Sequence, residues 1–262
     1  MMQSGNGPGG GARPLTARSV LASALLGMDP PELPVAQLVR LTGLFGINEN
    51  RTRVALSRMV AAGEATSDGS GCYRLAGHLV ERQSRQAASR AGETVPCGGR
   101  WWLAVVTAAG RSADVRQARR RALAYARLAE LREGVWMRPA NVPVRLPDQF
   151  EADVELMTAE PGDPRQLAGR LWDLPAWSTG ATQLLRGLYR LPPDGPETLA
   201  PGFALSAAVL RHLQADPLLP EELLPVDWPG TRLRAVYDEW DTCYRTTLRA
   251  WSRTGAWSRT GA

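Results

Sequence analysis

The chain contains no lysine. All 31 of its basic residues are arginine. Arginine therefore stands here for positive charge in general, and the residue type alone says little about bidentate recognition. Cysteine and histidine are scarce. Cys72, Cys97 and Cys243 are odd in number and widely separated, which gives neither a metal-ligand spacing nor a disulfide framework. His78 and His212 are the only histidines, and neither has a nucleophile close to it in sequence. There is no Gly-x-Ser-x-Gly elbow and no phosphate-binding loop. These absences predict a protein that is not an enzyme and holds no metal or cofactor. No apolar run approaches the ~18 residues of a membrane span, and no signal-peptide core stands near the start. The expectation is a cytoplasmic protein with no membrane partner.

What is present is a globular composition, 44% apolar over 262 residues, enough for one to three domains. Charge is uneven along it. Residues 1–100 carry 11 arginines and 7 acids, residues 101–150 carry 9 and 4, and residues 151–262 carry 11 and 15. A basic first half joined to an acidic last part suits a protein with one polyanion-binding end.

Residues 1–13 are Gly-rich and lack an apolar pattern, so a disordered tail is expected, with order from Pro14. Thr16 can cap a first helix carrying Val20, Leu21, Ala24 and Leu25. MDPPELP reads as a turn, with Pro34 opening a second helix whose stripe is Val35, Leu38, Val39 and Leu41. Asn48 caps a third helix that stops at Gly63. Asp68-Gly69 and Ser70-Gly71 then separate two short strands, which is a hairpin signal. Helix, helix, helix, hairpin is the order of a winged helix-turn-helix.

At ~100° per residue, Thr52, Ala55, Leu56, Met59, Val60 and Gly63 of the third helix fall on a core side. Asn50, Arg51, Val54, Ser57 and Arg58 fall on the other side, with Arg53 at its edge. Polar and basic groups gathered toward a helix N-terminus are what a recognition helix presents to base edges and phosphates, and the helix dipole favours phosphate there. The predicted DNA-contacting set is Asn48, Asn50, Arg51, Arg53, Ser57 and Arg58, with Arg74 from the hairpin. Arg82, Arg85 and Arg90 lie in an arginine-rich linker helix over 76–92 and are expected to be solvated.

Order resumes with a buried strand over Trp101–Thr107. DVRQARRRALAYARLAELREG follows at helical spacing from Val115 through Leu131. Strands are expected near Val135–Arg138, Val142–Leu146 and in EADVELMTAE, then a helix in DPRQLAGRLWDL. This alternation points to an α+β unit like the ferredoxin-like sandwich, its final strand unplaced. From about 176 the chain reads as helical, over Thr182–Tyr189, Ala200–Asp216 and Thr231–Trp251. The predicted division is a tail 1–13, a winged helix-turn-helix 14–76, a linker helix 77–98, a ferredoxin-like middle domain 99–176 and a mostly helical C-terminal domain 177–262. WSRTGA occurs at 251–256 and again at 257–262, too short for a repeat architecture and assigned no role.

Four stretches together resemble the PaaX-like transcriptional regulators, the repressors of phenylacetic acid catabolism. They are GINENRTRVALSRMVAAGE (46–64) with CYRL (72–75), GRWWLAVV (99–106), GVWMRPAN (134–141) and VLRHLQADPLLPEELLPVDWPG (209–230). The resemblance implies a homodimeric repressor that binds double-stranded operator DNA. It also implies release by an acyl-CoA effector, an aryl-CoA such as phenylacetyl-CoA. Arg51, Arg53 and Arg58 match the family's basic recognition helix. An acyl-CoA needs arginines for its phosphates and an apolar slot for its acyl end. Trp101, Arg119, Arg120, Trp136 and Arg138 are the expected ligand-binding set. The middle fold is also similar to small CRISPR adaptation nucleases, whose first strand ends in a metal-binding Asp. Here that strand ends at Thr107, with no acid until Asp114.

Overall fold

The computed structural model describes residues 16–28, 30–108 and 112–253. The expected disordered tail, the start of order at Pro14 and the second WSRTGA copy lie outside the described residues. The chain is mixed α+β, with helices and two small antiparallel sheets. Contacts divide it into two compact units. The first takes the residues up to Ser84, with Gly195–Ala200 and the residues from Thr246 on. The second takes Arg85–Asp194 and Pro201–Arg245.

The first unit begins with α1 (Ala17–Leu26). Thr16 Oγ1 accepts from the Ser19 amide at 3.1 Å, and Ser19 Oγ accepts from the Thr16 amide at 2.9 Å, a reciprocal cap. Val20, Leu21, Ala24 and Leu25 are buried on it as their spacing predicts. They pack with Leu38 and Leu41 of α2 (Val35–Gly43) and Leu56 and Met59 of α3 (Glu49–Ala61), a shared apolar core. Thr42 and Thr52 satisfy each other inside it, hydroxyl to hydroxyl at 2.7 Å. The α3 core face holds for Thr52, Leu56 and Met59, but Val60 is 40% exposed. Gly63 turns the chain away in a left-handed conformation, φ +68°, with empty space beside it.

The hairpin is β2 (Ala65–Ser67) and β3 (Cys72–Leu75), closed by Asp68, whose Oδ1 accepts from the Ser70 and Cys72 amides at 2.9 and 3.0 Å. MDPPELP is not wholly a turn. Its Glu32–Pro34 forms β1, which pairs antiparallel with β3, Glu32 opposite Arg74, and makes a sheet of order β1-β3-β2. Pro34 precedes α2 as its N-cap residue and is not its first turn. Three residues that follow Pro31 and end in Pro34 show no alternation, so their pairing is invisible locally. Helix α4 (His78–Ala91) occupies the stretch expected to be a linker helix.

The second unit is built on β4 (Trp101–Val106), β5 (Ala129–Arg132), β6 (Val135–Pro139) and β7 (Val154–Ala159), in the order β5-β6-β4-β7 with every neighbour antiparallel. Helix α5 (Ala113–Tyr125) connects β4 to β5. Two expectations fail here. The helix predicted through Leu131 ends at Tyr125, because Arg127 takes φ +61° and Ala129–Arg132 joins the sheet as β5. No glycine or proline marks that break. The strand expected at Val142–Leu146 is a loop, since Pro143 and Pro147 remove ladder donors. Its Val144 and Leu146 still pack onto the sheet.

Each sheet face has its own core. Trp101 and Met137 pack with Ala168 and Leu174, and Ala104 and Trp136 pack with Leu123 and Leu128. The remaining helices are α6 (Asp148–Glu151), α7 (Pro164–Leu171), α8 (Leu174–Arg190), α9 (Leu199–Gln214) and α10 (Gly230–Arg253). Helix α8 starts eight residues before the expected Thr182, with Asp173 Oδ1 accepting from the Ala176 amide at 3.0 Å. Trp251 of the first WSRTGA copy belongs to α10. Among the described residues no helix is long and apolar enough to cross a membrane.

Candidate nucleic-acid interface

Helix α3 has one side in the core and one in solvent. Asn50, Arg51, Arg53, Ser57 and Arg58 are all exposed on it. Asn48 is exposed as well, but its Oδ1 accepts from the Arg51 amide at 2.9 Å, which is the cap that starts the helix. Asn48 thus positions the first turn, and its Nδ2 makes no hydrogen bond among the described residues. The arginines differ in their commitments. Arg53 reaches back one turn to Glu49, Nη2 to Oε1 at 2.7 Å, an exposed i,i+4 pair. Arg51 and Arg58 have no ion-pair partner among the described residues. Ser57 Oγ donates to the Arg53 carbonyl at 3.1 Å and keeps its lone pairs outward. Val54, 42% exposed, is an apolar residue among them.

Arg74 lies on the central strand β3 and donates to Glu32 of β1, Nε to Oε2 at 2.8 Å. That pair is exposed, so little is lost when Arg74 turns to another anion. Behind α3, Glu64 is buried and accepts from Arg18, Nε to Oε2 at 2.8 Å. The Arg18 bond holds its carboxyl below the usual carboxylate value. Glu64 ties the end of α3 to α1.

The linker arginines are not all solvated. Arg82 is exposed. Arg85 stands over the Tyr125 ring at 5.2 Å. Arg90 pairs with Asp238 and, Nη1 to Oδ2 at 2.6 Å, with Asp241. It is a structural cation within the second unit.

The residues expected to bind ligand fall on both faces of the sheet. Trp101 is 1% exposed and faces the α7 side of the sheet. Trp136 lies in the other core, on the α5 side. Arg119 is buried and paired with Asp153 at 3.2 Å. Arg120 is exposed, paired with Glu130, and stands over Trp136 at 5.7 Å. Period-two alternation along strands separates Trp101 from Trp136.

Arg138 is fully buried. Its Nε donates to the Pro139 carbonyl at 3.0 Å and its Nη2 to Asn141 Oδ1 at 3.0 Å, with the Pro217 and Leu218 carbonyls at 3.4 Å. Its Nη1 has no hydrogen-bond partner among the described residues. Burial, and then the nearby Arg127, lower its pKa to about 9. Arg127, Asp216 and Arg234 complete this group, with Arg234 Nη2 on Asp216 Oδ2 at 2.8 Å. Nothing in local spacing brings residues 127, 138, 216 and 234 together, and sequence reading missed all but Arg138.

Two family models match the chain. PaaX-like protein covers residues 16–79 and PaaX-like protein C-terminal domain covers residues 178–252. The chain belongs to the PaaX-like family, a family of transcriptional regulators. Among solved structures it is similar to an uncharacterized protein from Mycobacterium tuberculosis, at 41% identity and a TM-score of 0.71. That match covers 90% of this chain and 98% of the other. No curated protein matches it.

Proposed function

We propose that this chain is a ligand-responsive transcriptional repressor that binds double-stranded operator DNA as a homodimer. In this reading residues 14–76 are a winged helix-turn-helix, with α2 and α3 as the turn unit and β2–β3 as the wing. The exposed face of α3, with Arg51 and Arg58 free of internal ion pairs, carries the reading. Arg51 stands in the first turn of α3, where the helix dipole favours phosphate, and Arg58 in its last turn. Guanidinium groups without internal ion pairs are available to phosphates and guanine edges. Asn50, Ser57 and Arg53 contact the same groove, and Arg74 meets the backbone from the wing.

Residues 99–176 form a ferredoxin-like middle domain in this reading. The order β5-β6-β4-β7 with antiparallel neighbours supports it. So does the crossover helix between β4 and β5. Residues 77–98 are the linker and residues 177–262 the helical C-terminal domain. An acyl-CoA, with phenylacetyl-CoA the first to try, binds the arrangement that cannot hold DNA and shifts the population toward it.

The test is fluorescence anisotropy of the full chain on DNA from upstream of its own gene, at two salt concentrations, with and without phenylacetyl-CoA. Selective binding that weakens steeply with salt and is reversed by the thioester is the expected result. Selective binding that ignores the thioester keeps the repressor and removes this effector. Equal affinity for unrelated DNA removes the repressor.

A further inference from the structure

The second unit contains a cavity of about 680 Å³. That lies within the ~300–1,000 Å³ of small-molecule sites. Its wall is drawn chiefly from the segment between Asp216 and Arg234, with Arg165 of α7 opposite.

Backbone conformation marks this wall. Arg127, Leu218 and Asp227 are the non-glycine residues with positive φ among the described residues, at 61°, 50° and 61°. Leu218 and Asp227 line the cavity. Arg127 grips the wall from behind, donating to the carbonyls of Gln214, at 3.2 Å, and Asp216. Left-handed backbone at such residues persists where surroundings over-determine it, and it concentrates at ligand clamps.

Charge marks it too. Arg127, Arg138 and Arg234 surround one carboxylate, Asp216. That carboxylate is already engaged, Oδ2 by Arg234 and Oδ1 by the Leu218 amide at 2.9 Å. Three guanidinium groups against one carboxylate leave two positive charges in a poorly solvated region, where potential is weakly screened. Glu221 and Asp227 also line the cavity, but both are exposed and screened by water.

Two donors on the wall are unused. Arg165 is exposed with no partner among the described residues, and the Trp228 indole N–H makes no hydrogen bond among them. The Trp228 ring is held in place by stacking on Trp177, centroids 4.4 Å apart. Leu219 and Leu224 add apolar wall.

We propose that this cavity binds a small organic anion, a carboxylate or phosphate on an apolar body. Arg165 and the Trp228 N–H hold the anionic head, with the excess positive charge behind the wall drawing it in. Leu219, Leu224 and the indole face receive the apolar body. Calling it the effector site rests on the regulator reading, whereas binding of the anion does not.

Calorimetry of the full chain with phenyl phosphate tests it, with inorganic phosphate and phenyltrimethylammonium as comparators. Saturable binding of phenyl phosphate is expected, with inorganic phosphate weaker and the cation inert. Arg165→Glu should weaken phenyl phosphate by about tenfold or more. Its exposed, unpartnered side chain makes loss of fold an inadequate explanation. Trp228→Phe keeps a stacking ring and removes the donor, and should weaken it by roughly threefold to tenfold. No saturable binding at millimolar phenyl phosphate, equal binding of the cation, or unchanged affinity in both variants overturns the site. Anisotropy on the same samples separates the two readings. Phenyl phosphate binding without DNA binding leaves the site and removes the regulator, and the reverse removes the site alone.

Discussion

Arg40 of α2 caps the C-terminal end of α10 at Trp251. Its Nη2 donates to the Trp251 carbonyl at 2.9 Å, its Nη1 donates to the Ser252 carbonyl, and its guanidinium lies 4.7 Å from the centre of the Trp251 ring. The last carbonyls of a helix have no partner within it, and a cation there also meets the negative end of its dipole. Arg40→Ala should cost about 1–2 kcal/mol of local stability, from two charge-assisted hydrogen bonds and a cation–π contact. Hydrogen exchange over 246–253 should rise while exchange in β4 stays unchanged. Equal protection in both proteins would show that the cap adds nothing.

Arg51→Ala and Arg58→Ala should each weaken operator DNA roughly tenfold or more, because each removes a free guanidinium from the open face of α3. The slope of log affinity on log salt should fall by about 0.9 for each lost phosphate contact. Melting temperatures should not move, since both side chains are exposed. Arg53→Ala should cost less, because freeing Arg53 requires breaking its pair with Glu49. Unchanged anisotropy curves for both variants would remove α3 from the interface.

Glu64 makes stability depend on acid. Its folded carboxyl titrates below the ordinary value because Arg18 donates to it. The contribution is therefore present above the unfolded carboxylate value, ~4.3, and is lost as pH falls through the lower folded value. Glu64→Gln should be less stable at neutral pH and should show a flatter decline below pH ~4.5. Denaturant melts at pH 3 to 7 check this. Parallel curves for the two proteins would mean that Glu64 is not the titrating group.

Arg138→Met should cost about 3 kcal/mol or more. It strands the Asn141 amide oxygen and weakens the anchoring of the Leu218 carbonyl. Adding Asn141→Leu should deepen the loss, since Asn141 Nδ2 donates to the Leu218 carbonyl at 2.8 Å and that buried acceptor then loses both side-chain donors. A single-variant loss near zero would show that water replaces the guanidinium.

Helices with a strong local signal were legible in the sequence. Thr16, Asn48 and the helical spacing of apolar positions located α1 and α3, and the Asp68–Gly71 turn located β2 and β3. β1 was not legible because its three residues pair with β3, about 40 positions on, and β5 was not because its apolar spacing continues that of α5 although it pairs with the next strand, β6. The exposed face of α3 was readable from period alone. The five-residue ligand set was not, because Trp and Arg look the same in a core and in a pocket. The sheet puts Trp101 and Trp136 on opposite faces, and tertiary packing locks Arg119 onto Asp153.

The sequence by itself determined the polar side of α3, its cap, its buried stripe and the family to which the chain belongs, because periodicity and capping act within a few residues. Tertiary structure alone decided which arginines are free and which are spent. Arg51 and Arg58 stay open, whereas Arg90, Arg127, Arg138 and Arg234 hold acids or carbonyls up to about 150 residues away. A charge's availability depends on what desolvates it and what pairs with it, and both depend on contacts distant in the chain.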